Sequence, residues 1–202
     1  MKKYSLLIIL SFYSIISFGQ DIQVGIKGGL NISNTWVNVK GADLEVEDTK
    51  SRTGVHIGGL LDVNLNSWAH LQLETQFSRE GDDAAYFDYI NVPLIFKFYP
   101  VKDVFHINIG PQIGFLTKVE GGDEGFKKTN YAINFGLGVG SKSGFTLDVR
   151  YGLGISSFID EDVVFETEPN SIFNGLKAYT QVLQVSVGYK FDLSSKKSDF
   201  QK

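Results

Sequence analysis

Apolar and polar side chains alternate along most of this chain. In the segment AHLQLETQFS at 69–78, one side of an extended chain carries Ala69, Leu71, Leu73, Thr75 and Phe77, and the other carries His70, Gln72, Glu74, Gln76 and Ser78. Alternation with a period of two residues is typical of a β-strand that has one apolar and one polar face. The pattern recurs along the chain and predicts eight strands, at about 22–33, 53–65, 68–79, 87–99, 104–117, 130–140, 145–157 and 177–191.

The connections between these predicted strands are alternately short and long. Short links fall at 64–67, 99–103 and 141–144, and long polar links fall at 34–52, 80–86, 118–129 and 158–176. An even number of antiparallel strands with short turns at one end and longer loops at the other is typical of bacterial outer-membrane barrels. We therefore predict an all-β fold, a single eight-stranded antiparallel up-and-down transmembrane β-barrel.

The two faces of the predicted strands indicate which one points outward. One face forms an apolar belt without a charged residue, which suits lipid and would be unfavourable in water. The other face is rich in glycine, which leaves room inside a narrow barrel for bulky side chains. We expect a plugged lumen with a structural network of paired charges, because unpaired charges there would be strongly destabilising. Its expected members are Lys27, Asp62, Glu74, Lys97, Asp148, Arg150 and Lys190.

Aromatic residues are expected to form two rings at the membrane surfaces, where their amphipathic side chains are commonly found. The ring near the short turns would contain Trp68, Tyr99, Phe105, Phe145 and Phe191. The ring near the long loops would contain Phe77, Tyr86, Phe87, Tyr89, Tyr131, Phe158 and Tyr179.

Composition narrows the function classes. The 202 residues suit one domain, and the net charge of −4 gives no basic surface for nucleic acid, so no nucleic-acid partner is expected. Cysteine is absent, which excludes disulfides, thiolate metal sites, a cysteine nucleophile and a lipidated cysteine.

The N-terminal segment has the pattern of an export signal. Two lysines precede an apolar run at about 6–18 that ends in small residues. We expect residues 1–19 to be a cleaved signal peptide, with an uncleaved anchor helix as the alternative. The barrel domain would then occupy 20–191, and 192–202 would form a short polar periplasmic tail. No later apolar stretch reaches 18 residues, so no membrane helix is predicted after the signal.

The chain offers little catalytic chemistry. Its candidate bases His56, His70 and His106 all fall on the polar face, with His56 near the loops and the other two near the short turns. They are not expected to form one site, and two histidines without carboxylate ligands are weak evidence for metal. The glycine-rich segments GGLN and GLGVG lie within strands and lack the following helix and lysine of a phosphate-binding loop. We expect no enzyme activity, no metal and no cofactor.

The long loops are acidic. The candidate loop contacts are Asp82, Asp83, Asp160, Glu161 and Asp162. One interpretation is a solvated rim that holds the divalent cations bridging lipopolysaccharide, and the other is a surface for a specific ligand or partner.

Several segments carry a family resemblance across the predicted mature chain. They are VGIKGGLNIS at 24–33, YINVPLIFKFYP at 89–100, NIGPQIGFL at 108–116, GLGVG at 136–140, YGLGIS at 151–156 and QVSVGYKF at 184–191. They resemble the PorT-like outer-membrane β-barrel proteins of Bacteroidota, the outer membrane protein beta-barrel domain group. The resemblance implies an outer-membrane barrel without a shared catalytic set, and PorT itself is associated with the type IX secretion machinery. The closing segment also resembles the strand read by the barrel-assembly machinery, which implies that partner during insertion.

Two functions therefore remain open. The first is a non-catalytic envelope component in the outer membrane, acting as an accessory subunit of a secretion or surface complex with an envelope protein partner. The second is a small ligand-binding barrel that uses its acidic loops, or a lipid-modifying outer-membrane enzyme. In both cases outer-membrane lipid and lipopolysaccharide would surround the belt.

Overall fold

The structure, a computed structural model, is a closed barrel. It describes residues 21–39, 50–82, 85–101, 104–122, 125–159 and 176–193. The strands are β1 (Ile22–Val39), β2 (Arg52–Asn66), β3 (Ala69–Gly81), β4 (Tyr86–Val101), β5 (Phe105–Val119), β6 (Thr129–Gly140), β7 (Phe145–Gly154) and β8 (Leu176–Asp192). Each strand pairs antiparallel with the next, and β8 closes the barrel against β1. The predicted all-β, eight-stranded up-and-down barrel is confirmed. Among the described residues no helix is long and apolar enough to cross a bilayer.

The barrel has two different ends. We call the turn end the one that holds the β2–β3, β4–β5 and β6–β7 links together with the start of β1 and the end of β8. The loop end holds the other four links. At the turn end, Ser141–Gly144 joins β6 to β7 with a hydrogen bond from Gly144 N to Ser141 O of 2.9 Å. Gly144 has a φ of 96°, a left-handed conformation that glycine adopts without strain.

Several strand bounds differ from the sequence-based prediction, most of all the ends of β1 and β7. β1 continues to Val39 instead of ending near 33, because it keeps pairing with β8 up to Val39↔Leu176 after its pairing with β2 stops at Ser33↔Arg52. The aromatic pair Trp36–Tyr179, with ring centroids 5.5 Å apart, packs across this two-stranded extension. β7 ends at Gly154, three residues before the predicted end.

The link between β3 and β4 is much shorter than predicted. It spans only residues 82–85, where a long loop over 80–86 was expected. The turn is closed by a hydrogen bond from Asp82 N to Ala85 O of 3.1 Å. Gly81, with a φ of 135°, supplies the conformation that the turn needs. The β3–β4 connection is therefore a tight turn, not a long loop.

The polar face of each strand points into the barrel. Neighbours on β2 illustrate the difference, because Ile57 is 65% exposed and His56 is 2% exposed. The same contrast holds for Val149, which is 44% exposed, and Arg150, which is 1% exposed. The outer surface is thus apolar and the interior polar, the reverse of a soluble barrel.

An aromatic cluster lies inside the barrel at its loop end. Phe87, Tyr89 and Phe158 are buried there with Val119 and Ala178. We call these five residues the aromatic cap. The predicted membrane-surface positions of Phe87, Tyr89 and Phe158 were wrong, because alternation with buried Asn91 turns β4 residues 87 and 89 inward. In β5, a register shift opposite Asp88/Tyr89 lets Val119 turn inward as well.

Tyr99 was also predicted at the membrane surface and lies inside. Its ring packs between His70 and His106, with centroid separations of 4.6 Å and 5.0 Å. It is buried near the turn end. The interior therefore contains aromatic residues at both ends of its polar centre.

Two adjacent glycines on β2 should respond differently to alanine. A Cβ on inward Gly58 would collide with the Thr75 carbonyl oxygen and lie 2.7 Å from Gln76 Cα, whereas the nearest atom to a Cβ on outward Gly59 is 3.8 Å away. Overpacking against backbone is expected to lower the free energy of unfolding of Gly58→Ala by about 1–3 kcal/mol. Gly59→Ala is expected to stay within about 0.5 kcal/mol of wild type. Urea titration of both variants in lipid vesicles measures the difference, and equal midpoints would contradict the close approach of β2 and β3.

Candidate functional site in the barrel lumen

The centre of the lumen holds a buried ion cluster built on Glu74. Arg150 Nη2 lies 2.6 Å from Glu74 Oε1, and Lys27 Nζ lies 3.5 Å from the same oxygen. The side-chain amides of Gln72 and Gln76 also donate hydrogen bonds to this carboxylate. β3 thus supplies a carboxylate flanked by two amides, and β1 and β7 supply its cations.

Asp148 is the second centre of the same cluster. Its Oδ2 lies 3.5 Å from Lys27 Nζ, and its Oδ1 lies 3.9 Å from Lys97 Nζ. His106 Nε2 lies 2.8 Å from Oδ1, and Asn108 Nδ2 donates to it at 3.0 Å. Lys27 joins the two carboxylates, so five charged side chains from β1, β3, β4 and β7 form one network across the barrel.

A separate ion group lies nearer the turn end. Asp62 Oδ2 accepts from Lys190 Nζ at 3.1 Å, and Asp62 Oδ1 lies 2.7 Å from His70 Nδ1. The Tyr99 ring lies beside His70. Asp62 comes from β2, His70 from β3 and Lys190 from β8, so this group ties three strands together beside the closing β1–β8 pair.

The structure places all seven of the predicted lumen charges inside the barrel. The central cluster contains Lys27, Glu74, Lys97, Asp148 and Arg150, and the turn-end group contains Asp62 and Lys190. Sequence reasoning missed an eighth, Glu80, which it assigned to the acidic loops. Glu80 is buried, and its Oε1 accepts from Ser78 Oγ at 2.7 Å and Asn91 Nδ2 at 2.8 Å. With Glu80, four cations of the described lumen face four carboxylates.

The signal for Glu80 was present in the sequence. It continues the alternation of Glu74, Gln76 and Ser78 on β3, so the two-residue period already places it inward. The boundary of β3, drawn two residues too early, moved it to the surface. One inward position was therefore lost with one strand end.

A serine, a histidine and an asparagine are linked by hydrogen bonds on the loop-end side of the central cluster. His56 Nε2 lies 2.8 Å from Ser186 Oγ, and His56 Nδ1 lies 2.7 Å from Asn31 Oδ1. The order of groups is that of a nucleophile, a base and an orienting residue. All three are at most 2% exposed, however, and Asn31 also donates to Ser78 Oγ at 2.8 Å. A nucleophile must be reached by its substrate, so this arrangement serves as a packed polar link between β1, β2 and β8.

The turn end of the lumen is open. A cavity of about 620 Å³ lies there, lined by His70, Tyr99, Thr146 and Lys190 in its deeper part and by Asp21 and Asp192 at its rim. We call it the turn-end vestibule. Both rim aspartates are exposed, and Gln23 Nε2 donates to Asp192 Oδ1 at 2.5 Å. The lumen is thus capped at one end, packed in the middle and accessible at the other end.

Asp82 is the one predicted loop contact that the structure describes. It is buried, and its Oδ1 accepts from Ala85 N at 3.2 Å within the short β3–β4 turn. The other predicted loop contacts, Asp83, Asp160, Glu161 and Asp162, lie outside the described residues, as does the predicted signal peptide 1–19. Within the described ranges no group of three or more histidines and carboxylates is placed to hold a metal ion.

Comparisons with known proteins found one family model and several solved structures that are similar to this chain. The family model of the outer membrane protein beta-barrel domain matches residues 5–191. The crystal structure of Ail from Yersinia pestis in complex with the heparin analogue sucrose octasulfate is 16% identical, with a TM-score of 0.47, and the match covers 85% of this chain and 99% of that one. OprG from Pseudomonas aeruginosa is 12% identical, with a TM-score of 0.47 and coverages of 85% and 97%. Neisserial surface protein A is 13% identical, with a TM-score of 0.46 and coverages of 86% and 97%. No curated protein matches the chain.

Proposed function

Since the chain belongs to the outer membrane protein beta-barrel domain family, we propose that it is a non-catalytic envelope component that acts as an accessory subunit of a secretion or surface complex. Its sequence resembles the PorT-like proteins of Bacteroidota, of which PorT itself is associated with the type IX secretion machinery. The observation that carries the proposal is the state of the lumen. Among the described residues, ion pairs fill its centre, the aromatic cap lies across its loop end, and the turn-end vestibule is accessible. A barrel whose described lumen is packed in this way suits a role in which its surfaces contact partners.

Orientation follows from the lengths of the links. Bacterial barrels of this kind have short turns in the periplasm and longer loops outside. The turn end, with the vestibule and the final residues of β8, then faces the periplasm. A periplasmic protein partner would meet the rim formed by Asp21 and Asp192, and the barrel-assembly machinery would meet β8 during insertion.

The non-catalytic assignment rests on how the three histidines are engaged. His70 and His106 are held by Asp62 and Asp148, and His56 is held by Ser186 and Asn31. All of these contacts lie inside the barrel, away from the acyl chains that a lipid-modifying enzyme must reach. The Ser186 hydroxyl in particular is 1% exposed.

Affinity capture from native outer membranes in mild detergent, followed by mass spectrometry, tests the accessory role. We expect an envelope protein to be recovered in stoichiometric amount. Reversal of the rim charge by Asp192→Lys is expected to reduce its recovery several-fold, while Lys50→Glu, a control at the loop end, leaves it unchanged. Treatment of the captured sample with a fluorophosphonate is expected to leave Ser186 unlabelled.

Other outcomes point away from this role. Recovery of the barrel alone would contradict an accessory subunit and favour the second candidate, a small ligand-binding barrel. That candidate is supported by the volume of the vestibule, about 620 Å³, which lies within the range of ordinary ligand pockets. A labelled Ser186 would contradict the non-catalytic assignment.

A further inference from the structure

Three cations surround one tyrosine ring at the loop end of the barrel. Arg79 Cζ lies 4.5 Å from the centroid of the Tyr86 ring, Arg52 Cζ lies 5.3 Å from it, and Lys118 Nζ lies 5.7 Å from it. The four side chains come from β2, β3, β4 and β5, so the barrel itself brings them together. We call them the basic rim cluster.

The register places most of this cluster on the outer face of the barrel. Arg79 pairs with Asp88, and Asp88 pairs with Lys118, so these three residues share one face. On β3, Arg79 continues the row of outward Thr75 and Phe77. The register shift in β5 is what turns Lys118 outward, since it follows the extra residue there.

The cluster lies directly beyond the apolar belt. Phe77 pairs with Ile90, and Ile90 pairs with Phe115. These pairs lie two residues along β3 and β4 from the Arg79–Asp88 pair, toward the middle of the barrel. Two residues of a strand span about 7 Å. The cations are therefore at the level where lipid head groups begin, on the side of the membrane opposite the short turns.

The described carboxylates near the basic rim cluster do not neutralise all of its positive charge. Asp88 Oδ1 and Oδ2 accept from Arg79 Nε at 2.7 Å and Nη2 at 2.9 Å, which fixes the guanidinium and leaves Nη1 without a partner in the described part of the chain. Arg52 Nη1 lies 3.5 Å from Glu120 Oε2. Lys118 is exposed, and no carboxylate of the described residues forms an ion pair with it. Among the described residues, three cations thus face two carboxylates.

We propose that the basic rim cluster binds a phosphate group of an outer-leaflet lipid, the phosphorylated lipid A part of lipopolysaccharide. Arg79, oriented by Asp88, and Lys118 supply the charge-assisted hydrogen bonds, since a guanidinium and an ammonium suit phosphate oxygens. Arg52 adds charge from the adjacent strand, and the Tyr86 ring holds the cations close together. The bound lipid lies against Phe77 and Phe115 below. This site is independent of the periplasmic partner proposed above.

A rim of carboxylates and the basic rim cluster would bind lipopolysaccharide in different ways, and only the first needs divalent ions. A carboxylate rim requires Ca²⁺ or Mg²⁺ to bridge it to phosphate, whereas the basic rim cluster binds phosphate directly. Lipid retention through the cluster is therefore expected to persist in a chelator.

The experiment uses the full-length folded barrel in detergent, mixed with either diphosphorylated or dephosphorylated lipid A, and counts retained lipid by native mass spectrometry. We expect retention of the phosphorylated lipid, in EDTA as well, and little retention of the dephosphorylated one. Lys118→Gln is expected to lower the affinity about fivefold, the effect of one basic residue near an anionic surface. Lys142→Gln, which removes an exposed lysine at the turn end, is the matched control and is expected to change nothing.

The result that overturns the proposal takes one of four forms. Equal retention of both lipids would exclude phosphate recognition, and loss of retention in EDTA would assign it to bridged carboxylates. Equal losses in Lys118→Gln and Lys142→Gln would mean non-specific charge. Full displacement by inorganic phosphate at the concentration of lipid used would mean a free-phosphate site. Lys118 makes no ion pair in the described structure, so its substitution leaves folding intact, and unchanged migration on an unboiled gel checks this.

Discussion

Replacement of Glu74 by leucine is expected to lower the free energy of unfolding by about 3–5 kcal/mol, the usual effect of removing one partner from a buried ion pair. Glu74 lies 2.6 Å from Arg150 Nη2 and 3.5 Å from Lys27 Nζ, and both cations are buried. Lys27 keeps Asp148 at 3.5 Å, but Arg150 forms no other ion pair among the described residues. Because a guanidinium does not lose its proton in proteins, Arg150 would remain a buried charge without a partner. Urea titration in lipid vesicles, followed by tryptophan fluorescence, measures the loss.

A second substitution separates the charge from the shape of the site. In Glu74→Leu/Arg150→Leu the pair is removed as a whole, and the lumen keeps the charge balance of the wild type. Complete replacement of a buried pair by apolar residues of similar volume is often neutral, so the double variant is expected to recover most of the lost stability. A double variant no more stable than Glu74→Leu, or a single variant within about 1 kcal/mol of wild type, would show that the network contributes little.

Alternation along the strands predicted most of the interior because side-chain direction follows from the two-residue period alone. His56, Glu74 and Arg150 could be placed inside before any pairing was known, since neighbours on each strand are apolar and point outward. The contacts between them could not be predicted in this way. Lys27 reaches Glu74 across an intervening strand, and His56 meets Ser186 from β2 to β8, which depends on the stagger of the closed barrel.

The ends of the strands were predicted less accurately than their side-chain directions. These errors explain why residues at the loop end were misplaced. The polar segment after Ser33 looks like a loop, yet it continues as a strand because β8 extends far enough to pair with it. Asp82 and Glu80 look like surface acids because the short β3–β4 turn has a loop-like composition. The basic rim cluster could not be predicted from the sequence for a related reason. Its members all lie within two residues of a strand end, namely Arg52, Arg79, Tyr86 and Lys118.

Introduction of arginine at Val149 is expected to lower the stability of the barrel in a bilayer by about 2–4 kcal/mol, the cost of this residue at the midplane of an outer-membrane barrel. Val149 is at the middle of β7, points outward and is 44% exposed. It lies between Leu137 on β6 and Val185 on β8, which are exposed on the same belt. A long charged side chain there has only lipid around it.

The matched control is arginine at Ile155, which follows the same strand and is 55% exposed. Six residues of strand extend about 20 Å, and a tilt of about 40° leaves this position near the surface of a belt about 25 Å tall. Ile155→Arg is therefore expected to cost about 0–1 kcal/mol. Urea titration in lipid vesicles compares the two variants. Equal effects would contradict the placement of the belt, and a neutral Val149→Arg would mean that water, not lipid, surrounds the middle of the barrel, because exposed substitutions in water stay within about 0.5 kcal/mol.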